Sequence, residues 1–349
     1  MLVVAVLPVA SADSAKCPYN FAVNPATSSA TIVGTDGDDV IYGTDGDDVI
    51  AGLGGDDTIY GSGGDDIICG GPGDDLIFGG DGNDFLSGDY LPGTSSGDYL
   101  VGGDDIIYGG DGNDRGAGDF ILGQNGDDVL VGGHDALYLG AGNDHFLGDF
   151  IRGDQGDDTL VGGNDYIDAG AGDDFAAGDT CQAGPGNDEL YGGDDEIIGG
   201  PGADRVIADE NIGQAGDDLV TGGDDFVDGG DGNDFLTGDG LGGDAAWSGQ
   251  DGDDTLLAGD DVILGGDGDD DLRGDGVSGW GETDSVVLGS DTIEGGAGDD
   301  ILRGDFDFND IESMSGGDDD LDCGPGNDYA DGGIGTDTAA NCESTDNIP

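Results

Sequence analysis

Basic residues are nearly missing from this chain. Lys and Arg total 6 against 81 Asp and Glu, so the formal net charge is −75 over 349 residues. Lys16, Arg115, Arg152, Arg205, Arg273 and Arg303 are scattered singly. They form no basic footprint for nucleic acid and would not draw the chain to an anionic membrane surface. Histidine is limited to His134 and His145 and no close cysteine pair occurs, which disfavours zinc. No Lys follows a Gly, which excludes a phosphate-cradling loop of the P-loop kind. Long apolar runs are absent after the first ten residues, and a run of about ten is too short to span a bilayer. No membrane insertion is expected.

Catalysis finds little support. A Ser-His-Asp site would have to use His134 or His145, and both belong to turn segments on the surface. Paired carboxylates can serve glycoside hydrolysis, but a catalytic pair is singular and Asp-Asp recurs here at turn after turn. The expectation is a protein that is not an enzyme. No ordered ladder of Thr or Asn marks an ice-binding face.

The chain begins with an apolar stretch, Met1 to Ala10, followed by Ser11-Ala-Asp-Ser-Ala15. Small residues after a short apolar run have the form of a secretory signal, so residues 1–15 are expected to be a signal peptide, 16–33 an N-terminal cap and the protein secreted. Five cysteines, Cys17, Cys69, Cys181, Cys323 and Cys342, suit an oxidising compartment.

What is abundant is glycine, with 80 residues, and it is periodic. Gly34-Thr-Asp-Gly-Asp-Asp-Val-Ile-Tyr42 is followed by Gly43-Thr-Asp-Gly-Asp-Asp-Val-Ile-Ala51, and further units begin at Gly52, Gly61, Gly70 and Gly79. The consensus G-x-x-G-[DN]-D-x-[IL]-x starts as turn chemistry. It ends as a three-residue strand whose middle side chain, Ile41, Ile50, Ile59, Ile68, Ile77 or Leu86, faces inward. Residues 34–87 therefore read as a regular repeat. Residues 88–303 carry a thirty-residue super-repeat of seven, nine, five and nine residues, and 304–349 a degenerate coil and C-terminal cap. With two units per coil of a flattened solenoid, full turns are expected on one edge and shortened turns on the other after about residue 88. Cys181 takes an inward place as a buried thiol. Cys323 and Cys342, about one coil apart, can bridge, and Cys17 can reach Cys69. Trp247 and Trp280 are the candidates for contact with an unknown extracellular partner.

The units resemble the haemolysin-type (RTX) calcium-binding nonapeptide repeats, G-G-x-G-x-D-x-U-x, which build a parallel β-roll. The resemblance implies an all-β solenoid binding several Ca²⁺ ions, with the sixth-position Asp as side-chain ligand. Carried over, these are Asp39, Asp48, Asp57, Asp66, Asp75 and Asp84. They continue as Asp114, Asp128, Asp144, Asp158, Asp174, Asp188, Asp204, Asp218, Asp234, Asp254, Asp270 and Asp300, and end with Asp328 and Asp337. Hard oxygen donors are the ligands Ca²⁺ prefers. The seven- and five-residue turns lack part of the ligand loop, so calcium is not expected on their edge. The competing reading is a calcium-binding accessory module of an extracellular enzyme or toxin.

Overall fold

The computed structural model describes residues 30–93, 97–124, 126–214, 217–242, 255–278, 285–307 and 314–348. The expected signal peptide, Cys17, Asp254 and both Trp residues lie outside them, as does most of the N-terminal cap segment. The described chain winds into a parallel β-solenoid. Its three sheets, here called sheet 1, sheet 2 and sheet 3, have 13, 12 and 8 strands.

The first coils are narrow. Val40–Tyr42 pairs with Thr58–Gly63 on sheet 2, and Val49–Ala51 with Ile67–Cys69 on sheet 1, each step advancing eighteen residues. Two nonapeptides thus make one coil, as the sequence implies. The middle residue of each short strand points inward: Ile50, Ile59, Ile68, Ile77 and Leu86 are fully buried and Ile41 is 4% exposed. Each such burial contributes about 1.5–3 kcal/mol.

From Phe85 the coil widens. Phe85–Pro92 is an eight-residue strand that pairs with Arg115–Leu122, and that pairs in turn with His145–Arg152. The step becomes thirty residues on all three sheets, as Ile106↔Ala136 and Tyr99↔Val129 also show, and changes only later, to thirty-six at Phe226↔Val262 and twenty-eight at Thr292↔Asp320. This alters the expected layout of the turns. The five-residue unit, such as Gly118-Asp-Phe-Ile-Leu122, does not reverse the chain; it prolongs the sheet 1 strand through a kink. Four units therefore complete one wide coil, and the full turns fall on two separate edges rather than one. Sheet 3, starting at Tyr99–Val101, exists only because of this extra wall.

Two apolar columns fill the wide coils. One lies between sheets 1 and 2 and includes Ile107, Leu137, Phe146 and Ile167. The other lies between the far half of sheet 1 and sheet 3 and includes Ile121, Leu130, Ile151 and Leu160. Outside the kink, Ala117, Phe120, Leu147 and Ala177 form a small third cluster, because the bend brings outward side chains of one strand together. Sheet 2 carries an outer stack of rings, Tyr42, Tyr60, Phe78, Tyr108 and Tyr138, with centroids 4.9–5.0 Å apart. On sheet 1, Arg205 and Arg273 lie over the Phe235 ring at 4.8 and 4.4 Å.

Cys323 and Cys342 form a disulfide with Cα atoms 5.2 Å apart, which fastens the last coils where fraying of a repeat array would begin. Cys181 is free and buried in the second column. Cys69 is disulfide-bonded, and its expected partner Cys17 lies outside the described residues. Thiol titration of the denatured, unreduced protein should therefore give one thiol, Cys181. A count of three would break the expected pairing of Cys17 with Cys69.

Candidate metal centre

Among the described residues, the coil edges carry aspartates that link one coil to the next. The sixth-position residue uses its own N–H as donor to the Oδ1 of its equivalent one coil later. Along the first edge the line runs Asp48, Asp66, Asp84, Asp114, Asp144, Asp174, Asp204, Asp234, Asp270, Asp300 and Asp328, with donor–acceptor distances of 2.7–3.0 Å. The Asp328 N–H then donates to Glu343, which takes the last rung. A second line begins with Asp39, Asp57 and Asp75 and then passes into the seven-residue turns at Asp105 and Asp135. It returns to a full turn at Asp337, which accepts from Asp319. A third line, Asp98, Asp128, Asp158, Asp188 and Asp218, belongs to the other full turns of the wide coils. The sequence-predicted residues are thus divided among three columns, and Asp114 and Asp128 are not neighbours.

The fifth-position residues form a ladder of opposite sense. Asp56 N–H donates back to Asp38, Asp65 N–H to Asp47 and Asn113 N–H to Asn83. His134 fills one such rung: its N–H donates to Asp104 and its Nδ1 accepts from Asn164 at 2.7 Å. That is the structural work of a surface turn residue.

Glycine is needed where turns stack this closely. Gly112 has φ +154°, and a Cβ there would sit 1.5 Å from the Gly82 carbonyl oxygen. The result is a turn in which backbone oxygens and carboxylates converge. Oδ2 of Asp57, Asp66, Asp75, Asp84, Asp114, Asp144 and Asp174 is buried and has no hydrogen-bond partner among the described residues. Asp39, Asp48 and Asp128 differ, since their Oδ2 atoms accept from the N–H of Thr35, Thr44 and Gln124. Burial pushes Asp75 up to about 8, opposed by its bond from the Asp57 N–H and reinforced by the Asp57 carboxylate. Burial likewise raises Asp84 to about 7 and Asp57 to about 6.

Buried carboxylate oxygens without donors are costly, and a cation resolves that cost. The donor set is entirely oxygen, from carboxylates and glycine-rich turns, and it repeats at every coil. That composition suits calcium, which takes six to eight oxygens in flexible geometry. It does not suit structural zinc, whose sites are built from Cys and His.

The residues that sequence reasoning passed over are the carboxylates of the shortened units. Asp89, Asp119, Asp149, Asp179, Asp209, Asp239 and Asp275 follow the kink glycine or alanine, and all are fully buried. Asp105, Asp135, Asp165, Asp195 and Asp225 of the seven-residue turns are 1–3% exposed. Burial raises Asp135, Asp149 and Asp165 well above the usual carboxylate range, with neighbouring carboxylates adding to the rise. The shortened turns therefore do not leave their acids in solvent. The available signal was the recurrence of Gly-Asp every thirty residues at Gly88, Gly118, Gly148 and Gly178.

A sequence profile described as the RTX calcium-binding nonapeptide repeat (4 copies) matches residues 33–68, 42–77, 60–89, 93–119, 115–146, 146–176, 175–206, 212–240, 248–278 and 288–311. A search of curated proteins returns no match. Profile, parallel solenoid and stacked carboxylates agree, and the chain belongs to the RTX calcium-binding nonapeptide-repeat family.

Proposed function

We propose that this is a secreted, non-enzymatic calcium-binding β-roll whose folding is coupled to Ca²⁺ and whose role is extracellular support or interaction. The observation that carries this reading is the row of buried, donorless Oδ2 atoms at successive turns. A fold that buries so many acceptors without donors is complete only with cations in place. The sixth-position residues Asp57, Asp66, Asp75, Asp84, Asp114, Asp144, Asp158, Asp174, Asp188, Asp204, Asp234, Asp270, Asp300, Asp328 and Asp337 would hold them. Asp39, Asp48, Asp128 and Asp218 stand in the same lines. Calcium supplies charge neutralisation and cross-links successive turns. The chain's own residues align the turns and exclude water from the core.

Secretion is supported by the signal-like start, by the Cys323–Cys342 disulfide and by the millimolar calcium of extracellular fluids that such a fold would use. The non-enzymatic reading rests on the uniformity of the acid pairs and on the ladder role of His134. The remaining alternative, an accessory module of an extracellular enzyme or toxin, predicts turnover somewhere in the intact protein. The calcium-loaded protein should show none on polysaccharide or peptide substrates. It should retain a cell-surface partner in calcium and release it in chelator. Turnover on either substrate class would favour the alternative.

A further inference from the structure

The wide coils enclose a column of carboxylates that no nonapeptide turn accounts for. On sheet 1 the kink residue Asp149 lies between Phe146, which belongs to the first apolar column, and Ile151, which belongs to the second. On the returning segment Asp165 lies between Leu160 of the second column and Ile167 of the first. The two walls meet at this waist, where Asp149 Oδ2 accepts from the Gly163 N–H at 2.8 Å. The same bond recurs as Gly133 to Asp119 and Gly193 to Asp179. Space for the carboxylates comes from glycine: a Cβ on Gly132 would lie 1.5 Å from Asp149 Oδ2, and one on Gly148 would lie 1.8 Å from Asp165 Oδ2.

Hydrogen bonding leaves one oxygen of each residue over. Asp119 Oδ1, Asp135 Oδ2, Asp149 Oδ1, Asp165 Oδ2 and Asp179 Oδ1 are buried and have no hydrogen-bond partner among the described residues. The residues that bear them are 0–3% exposed. Asp119, Asp135 and Asp149 each offer an oxygen within 4.8 Å of the others, and so do Asp149, Asp165 and Asp179. Triads of this kind follow one another from Asp89 to Asp239 among the described residues, and Asp119, Asp149, Asp179 and Asp209 are each shared by two of them.

We propose that this waist is a second, interior series of divalent-cation sites, one per wide coil and separate from the turn sites on the edges. The inference rests on the calcium reading given above. Charge supports it: each coil brings one kink carboxylate and one short-turn carboxylate, two negative charges, and one divalent ion makes the column neutral. Chemistry supports calcium: the convergent donors are all carboxylate oxygens, the hard ligands that Ca²⁺ takes in flexible geometry. The interior sites also explain how a polar row can divide two apolar columns without destabilising either.

The test counts calcium in the full-length chain after equilibration in excess Ca²⁺ and desalting, with elemental analysis as the readout. Asp149→Asn keeps a carbonyl oxygen for the Gly163 N–H but weakens two adjoining triads. It should lower the count by two ions per chain. Asp144→Asn, at a turn of the first edge, should lower the count independently, and the losses should add in the double variant. An unchanged count in Asp149→Asn, with a normal loss in Asp144→Asn, overturns the interior sites and leaves the turn sites standing. A chain that binds no calcium at all overturns both. Infrared spectra of the wild-type protein serve if Asp149→Asn does not fold. Interior cations require ionised carboxylates throughout, so a strong protonated-carboxyl band in the calcium-loaded protein would mean that the waist is held by shared protons, and would overturn the proposal.

Discussion

Removal of calcium with a chelator should melt the solenoid. At neutral pH the far-ultraviolet circular dichroism should change from β-sheet to coil, and the radius of gyration should rise towards the unfolded value of about 67 Å for a chain this long. The size of the effect follows from the buried acids. An ionised carboxylate taken out of water without a partner costs several kcal/mol even after relaxation. The total stability of a domain is about 5–15 kcal/mol. Two or three donorless carboxylates would exhaust that margin, and the described residues bury such an oxygen at nearly every coil on several lines. One inward aliphatic residue per short strand cannot offset this, because ordering each turn residue costs about 1–2 kcal/mol. Restoring millimolar calcium should restore the sheet spectrum. Superimposable spectra with and without chelator would show that the fold does not depend on the metal.

Without calcium, acid should rescue the fold. The carboxyls of Asp57, Asp84 and Asp75 are raised by burial from 3.8 to about 6, about 7 and about 8. A group whose folded pKa exceeds its unfolded value contributes stability that is complete below the unfolded value. That stability is lost as pH rises through the folded one. The chelated chain should therefore be β-rich below about pH 4 and should lose that structure between about 6 and about 8, the range those three groups define. Calcium acts in the opposite sense, since it binds the ionised form and protons compete with it. At pH 8 chelator should abolish the sheet signal, and at pH 4 it should change little. A chelated chain that stays unfolded at pH 4 would show that protonation does not replace the cation.

Much of this molecule was legible in its sequence because the nonapeptide is a local code. Gly-x-x-Gly sets the turn, the sixth-position Asp follows, and the residue two places later faces inward, as Ile50, Ile59 and Ile68 do. The Cys323–Cys342 bridge followed from one coil of separation. The widening at Phe85 was not legible, and the reason is physical. Gly118-Asp119 is turn chemistry by composition, yet here it is a kink inside a strand, held by pairing with Phe85–Pro92 on one side and His145–Arg152 on the other. Only those neighbours, thirty residues away in each direction, decide whether the chain turns or continues. The interior carboxylates were missed with it, since Asp119 and Asp135 become neighbours only when the coil has thirty residues.

The step between coils also governs how such a gene can change length. Each rung binds the coils before and after it, in opposite senses for the fifth and sixth positions. A deletion of one complete wide coil would therefore rejoin equivalent rungs and leave every wall in register. Removing eighteen residues from the wide region would instead place a kink against a turn. Extra residues are absorbed differently. Between Asp225 and Asp261, and between Asp234 and Asp270, the step is thirty-six, yet both rungs still close at 3.0 and 2.8 Å. Lineages can thus lengthen the rod by whole coils or accept a few extra residues between rungs, as the closed rungs on either side of the thirty-six-residue step show.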